Sequence, residues 1–104
     1  KKQKYAYLFK SKMNITELPD DYIINRLVEE ASSLYDSEEL ELLWEEAGGK
    51  LKDLNSKGSL GKQWTKAIKK AKKGNIEGGV LTLIDIMLER YPHNTELNEL
   101  KTFF

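Results

Sequence analysis

An all-α fold follows from three features of the sequence. Apolar residues recur every three or four positions from Ile23 to Leu100, capping residues and glycines punctuate that pattern at helix-length intervals, and no convincing pair of alternating runs offers a hairpin. The expectation is a compact antiparallel bundle of five to six helices over residues 17–104. Residues 1–16 are expected to form a leading helix or linker, since Tyr5, Tyr7 and Phe9 alternate like a strand while Ala6, Phe9 and Met13 space like a helix.

Pro19 followed by Asp20 and Asp21 opens the first of these helices, with Ile23, Ile24, Leu27, Val28, Ala31 and Leu34 as its apolar stripe. Asp36 with Glu39 three residues on is a capping box, and the helix it opens turns Leu40, Leu43, Trp44 and Ala47 inward before Gly48 and Gly49 stop it. Leu51 and Leu54 suggest a single turn. After the loop at 55–58, Ser59 caps a helix that buries Leu60, Trp64, Ala67, Ile68 and Ala71 and ends at Gly74.

Asn75 is expected to cap the next helix, from Ile76 to Tyr91, which is apolar on most faces and so belongs at the centre of the bundle. Gly78 and Gly79 then fall in its first turn at a cost of about 1 kcal/mol each, a cost explained if a neighbouring helix must approach closely. Pro92 ends it. Asn94 or Thr95 starts a last helix with Leu97, Leu100 and Phe104 facing inward.

A chain of 104 residues with 39% hydrophobic and 33% charged residues can close one core without staples. The absence of cysteine removes disulfides, thiolate metal sites and a Cys nucleophile, which fits a cytoplasmic setting. Tyr5 to Phe9 is too short an apolar run for a signal-peptide core or a bilayer span, so no membrane role is expected. The first residue is Lys, which suggests an excised piece of a longer protein.

Net charge is zero, yet the charges are sorted into blocks. Residues 1–16 carry +5, residues 17–49 carry −10, residues 50–73 carry +8 and residues 74–104 carry −3. Glu38, Glu41 and Glu45 fall on the side of their helix away from Trp44, with Leu42 among them as an apolar contact point. Lys62, Lys66, Lys69 and Lys73 likewise fall opposite Trp64. Such faces are often merely solvated, but two faces of opposite sign on one domain can also pair between copies and set the register of that contact.

Little in the sequence suggests chemistry. His93 is the only histidine and sits in a turn without the partners that general base work or zinc binding needs. The acid pairs Glu29–Glu30 and Glu45–Glu46 lack the loop spacing of a calcium site, and Gly58-Ser-Leu-Gly61-Lys62 lacks the spacing of a phosphate loop. Trp44 and Trp64 fall on core stripes. The sequence therefore points to a non-enzymatic protein with no cofactor and no metal. Nucleic-acid binding through the Lys62–Lys73 face is the runner-up reading; it is weakened by the lack of Arg in that face and by the acidic block elsewhere.

Several stretches resemble the effector-associated domains of bacterial conflict and signalling systems, small helical adaptors placed with the death-like folds. They are Tyr35-Asp-Ser-Glu-Glu-Leu40, Ala47-Gly48, Trp64 with Ala71 and Gly74-Asn-Ile76, and Leu83 leading into Tyr91-Pro-His-Asn-Thr-Glu-Leu97. The closing Tyr-Pro-x-Asn-x-x-Leu is the most specific piece, and the resemblance spans about residues 18–101. It departs at Gly78 and Gly79, and residues 1–16 do not align. The resemblance implies a domain that links a sensor to an effector by pairing with another copy or a related helical domain, within a larger sensor or effector protein. It also implies that Trp64, Tyr91, Pro92, Asn94 and Leu97 are structural rather than contact residues. With no metal expected, a chelator should leave the melting temperature unchanged, and a fall of many degrees in a thermal scan would expose a missed site.

Overall fold

The computed structural model describes residues 20–54 and 57–104. Helix α1 spans Asp20–Leu34, α2 Ser37–Glu46, α3 Leu60–Lys73, α4 Val80–Arg90 and α5 Thr95–Lys101, with a single 3-10 turn at Leu51–Asp53 between α2 and α3. Among the described residues there is no strand. Residues 1–16, expected as a leading helix or linker, lie outside the described residues.

Helix boundaries follow their caps. Asp36 Oδ1 accepts from the Glu39 amide at 2.9 Å and Glu39 Oε1 accepts from the Asp36 amide at 3.0 Å, so the expected capping box starts α2. Ser59 Oγ accepts from the Lys62 amide at the start of α3. Gly74 closes that helix at φ +108°, a left-handed angle open to glycine, while the Asn75 amide reaches back to the Lys70 carbonyl at 3.1 Å.

The start of α4 differs from expectation. Asn75 does not cap it and Ile76 is not in it; the helix begins four residues later, at Val80. Gly78 and Gly79 have φ +83° and +67°, which no right-handed helix accommodates, so they form a turn closed by the Gly79 amide on the Ile76 carbonyl at 3.1 Å. A Cβ on Gly79 would meet the Ala71 carbonyl of α3 at only ordinary contact distance. Backbone angle, rather than helix crowding, is what requires glycine there. Ile76 is nevertheless buried, delivered to the core by the turn.

Helix α1 packs most extensively on α3 and also runs along α5, α5 packs on α4, and α2 touches both α3 and α4. Leu27, Trp64, Leu83 and Ile84 are fully buried at the centre, as expected. Each tryptophan keeps its polar atom satisfied, Trp44 Nε1 donating to the Lys50 carbonyl at 3.0 Å and Trp64 Nε1 to the Tyr35 carbonyl at 3.4 Å. Leu97 and Leu100 are buried, but Phe104 is exposed and Phe103 packs on the core in its place. The reason is that α5 ends at Lys101, so the last residues leave the helical spacing that would have turned Phe104 inward.

Leu83→Ala should cost about 2–5 kcal/mol because the site is closed on all sides, whereas Asp36→Ala should cost about 1 kcal/mol for the lost cap. Urea titrations of the two variants against the parent chain measure both.

Candidate functional site

Placed on their helices, the charged stripes are narrow. In α3 the positions 62, 66, 69 and 73 fall within an arc of roughly 60° at 100° per residue, on the side opposite the buried Trp64, Ala67, Ile68 and Ala71. All four lysines are exposed. In α2, Glu38, Glu41, Leu42 and Glu45 share an arc of roughly 100° opposite Leu40, Leu43 and Trp44, and all four are exposed, Leu42 at 62%.

The fold leaves these residues without internal partners, while several charges beside them on the same helices are paired. Asp20 pairs with Lys72 at 2.5 Å, Glu46 with Arg90 at 2.5 Å, Asp85 with Lys101 at 3.0 Å, and Glu96 and Glu99 with Arg26 at 2.7 and 3.1 Å. Lys70 donates to the Asp53 carbonyl. No such pair, among the described residues, involves Glu38, Glu41, Glu45, Lys62, Lys66, Lys69 or Lys73.

The two stripes lie on helices that pack against each other. Ser37 Oγ donates to Gln63 Oε1 at 2.8 Å, and Gln63 Nε2 donates to the Gly58 carbonyl at 3.1 Å, tying the start of α2 to the start of α3. Gln63 is the one buried polar residue of the described core, and nothing in its helical spacing announces that role.

The closing motif takes part in the packing of α5. Asn94 Oδ1 accepts from the Leu97 amide at 2.8 Å and so caps α5, while Asn94 Nδ2 donates to Glu30 Oε2 of α1 at 2.7 Å. Leu97 is fully buried, Pro92 precedes the cap, and Tyr91 sets its ring edge-on to Tyr35 with centroids 5.9 Å apart. Trp64 also meets Tyr35, with ring centroids 6.0 Å apart and the rings tilted by 46°. Trp64 and Leu97 are thus fully buried, while Tyr91 and Pro92 are exposed.

Two clusters went unseen in the sequence. Arg26 forks onto Glu96 through Nε at 2.9 Å and Nη2 at 2.7 Å, and Glu96, with Glu99 behind it, holds the guanidinium pKa above its usual range. Arg90 stands over the Tyr35 ring at 5.9 Å while pairing with Glu46. Both join residues far apart in sequence, and the one available signal was a lone Arg26 inside the acidic block.

Among the described residues no group of three or more His, Cys, Asp or Glu side chains could hold a metal, and no helix is long and apolar enough to cross a membrane. His93 is exposed in its turn. A groove by the ends of α1 and α5 is lined by Ile23, Ile24, Phe103 and Phe104 beside the Asp20–Lys72 pair.

The family model for effector-associated domain 1 matches residues 16–103. The chain belongs to that family. No curated protein and no solved structure matches it at a significant level. The match takes in every element from α1 to α5, so the unpartnered stripes on α2 and α3 are part of the effector-associated domain itself.

Within this effector-associated domain, the Tyr35 hydroxyl is buried without a hydrogen-bond partner among the described residues. Burial pushes its phenol above the ordinary value near 10, and Arg90 opposes that only in part. The folded state therefore holds the proton more tightly than the unfolded chain does. The resulting stability is present below the unfolded value and is lost as pH rises through and beyond it. Tyr35→Phe should be within about 0.5 kcal/mol of neutral at pH 7, since the hydroxyl makes no bond to lose, and should flatten the fall in stability above about pH 10. Melting curves between neutral and alkaline pH compare the two chains.

Proposed function

We propose that this effector-associated domain is a non-enzymatic adaptor that pairs with another copy or a related helical domain, coupling a sensor to an effector in bacterial defence or signalling. The observation that carries the reading is the pair of single-sign stripes on α2 and α3, left unneutralised while neighbouring charges are paired within the chain. Like charges three or four residues apart on a helix repel by about 0.2–0.5 kcal/mol per pair, so α3 carries a strain that an opposed acidic stripe relieves.

The magnitudes suit a reversible contact. An exposed ion pair contributes about 0–1 kcal/mol, and burying Leu42 adds about 1.5–3 kcal/mol at most. Pairing is therefore weak between isolated domains and becomes strong where several are held together, as in a larger sensor or effector protein. Family membership supports the same reading, because the family is named for association with effectors.

Nucleic-acid binding through the Lys62–Lys73 face is the second reading, supported by the same unpaired lysines. The acidic stripe on the adjoining α2 opposes it by repelling a polyanion.

Self-association should be tighter at ~0.01 M salt than at ~0.15 M, where the Debye length shrinks from ~30 to ~8 Å. Lys66→Glu with Lys69→Glu should abolish it, and mixing that variant with Glu41→Lys, Glu45→Lys should restore a complex between the two. Sedimentation across a concentration series reads both outcomes. A wild-type chain that stays monomeric at low salt while a short duplex binds through those lysines would move the assignment to the second reading.

A further inference from the structure

We infer that the contact between copies is an antiparallel apposition of α2 from one chain and α3 from the next, with Glu45 opposite Lys62, Glu41 opposite Lys66 and Glu38 opposite Lys69. The inference rests on the pairing reading above and adds to it a direction and a register.

The basis is spacing along the helix axes. Counted from Glu45 back toward the start of α2, the acids stand at steps of four and then three residues. Counted from Lys62 forward along α3, the lysines stand at the same steps. At 1.5 Å per residue both triads span about 10 Å, so one straight helix face can meet the other with all three pairs in reach. Lysine stems absorb the small differences in angle around the axis.

Spacing alone also allows a parallel register, with Glu38 opposite Lys66, Glu41 opposite Lys69 and Glu45 opposite Lys73. Helix dipoles separate the two. Glu45 lies in the last turn of α2 and Lys62 in the first turn of α3, so the antiparallel register sets the negative end of one helix beside the positive end of the other. In the parallel register Glu45 meets Lys73 in the last turn of α3, and two negative ends lie together. The six residues of the antiparallel register are exposed and without partners among the described residues, so neither stripe must break an internal bond to dock.

The test uses charge reversal in pairs on one chain, read by sedimentation equilibrium at low salt, with thermal melts to show that each variant folds. Glu41→Lys and Lys66→Glu alone should each weaken self-association by about fivefold or more. Glu41→Lys combined with Lys66→Glu should recover to within about twofold of the parent, because the swapped charges face each other again. Glu41→Lys combined with Lys69→Glu should stay weak, since it creates two like-charged contacts. Recovery in this second double variant instead of the first would overturn the antiparallel register and leave pairing itself intact, and recovery in neither would remove the stripe-on-stripe geometry. A parent chain that remains monomeric throughout would remove the pairing reading and the register together.

Discussion

The arrangement of this domain depends on the burial of one face of α3 against α1. Ala67 and Ala71 on α3 and Ala31 on α1 are all essentially inaccessible, and their small side chains let the two helices approach while Trp64 and Ile68 fill the space beside them. Once that face is committed to the core, the rotation of α3 is settled. Lys62, Lys66, Lys69 and Lys73 must then point at solvent, because no turn of an α-helix can bring positions so spaced to the buried side. The interaction surface proposed above is thus the reverse side of the packing.

A second constraint acts through α5, a helix of seven residues that is too short to hold itself. It is anchored by Leu97 and Leu100 in the core, by the Asn94 cap that also reaches Glu30, and by the Arg26 fork on Glu96 and Glu99. The last of these is bidentate and half shielded from solvent, which makes it worth more than the exposed pairs elsewhere on the domain. Arg26 also explains why a single cation sits inside the acidic block: it serves α5, and the stripe on α2 keeps its charge undiluted.

Part of the charge in this domain is used internally. Asp20, Glu46, Asp85, Lys72, Arg90 and Lys101 are consumed in pairs that join helix to helix. The triad on α2 and the row on α3 are not. Each keeps a repulsive single-sign row on its own helix, and a row of the opposite sign is the surface that relieves it.

Much of this was legible from the sequence because local rules govern it. Helix periodicity, the Asp36–Glu39 box, the Ser59 cap, the Gly74 stop and the outward placement of both stripes depend on residues within one or two turns of each other. Tertiary structure alone decided the rest. The four-residue delay of α4 came from positive φ at Gly78 and Gly79, which sequence spacing cannot distinguish from helix-interior glycine. The turning outward of Phe104, the burial of Gln63 between α2 and α3, and the Arg26 and Arg90 pairs each depend on which helix lies alongside which. Those contacts join residues tens of positions apart, and periodicity along a single helix carries no information about the neighbour it will meet.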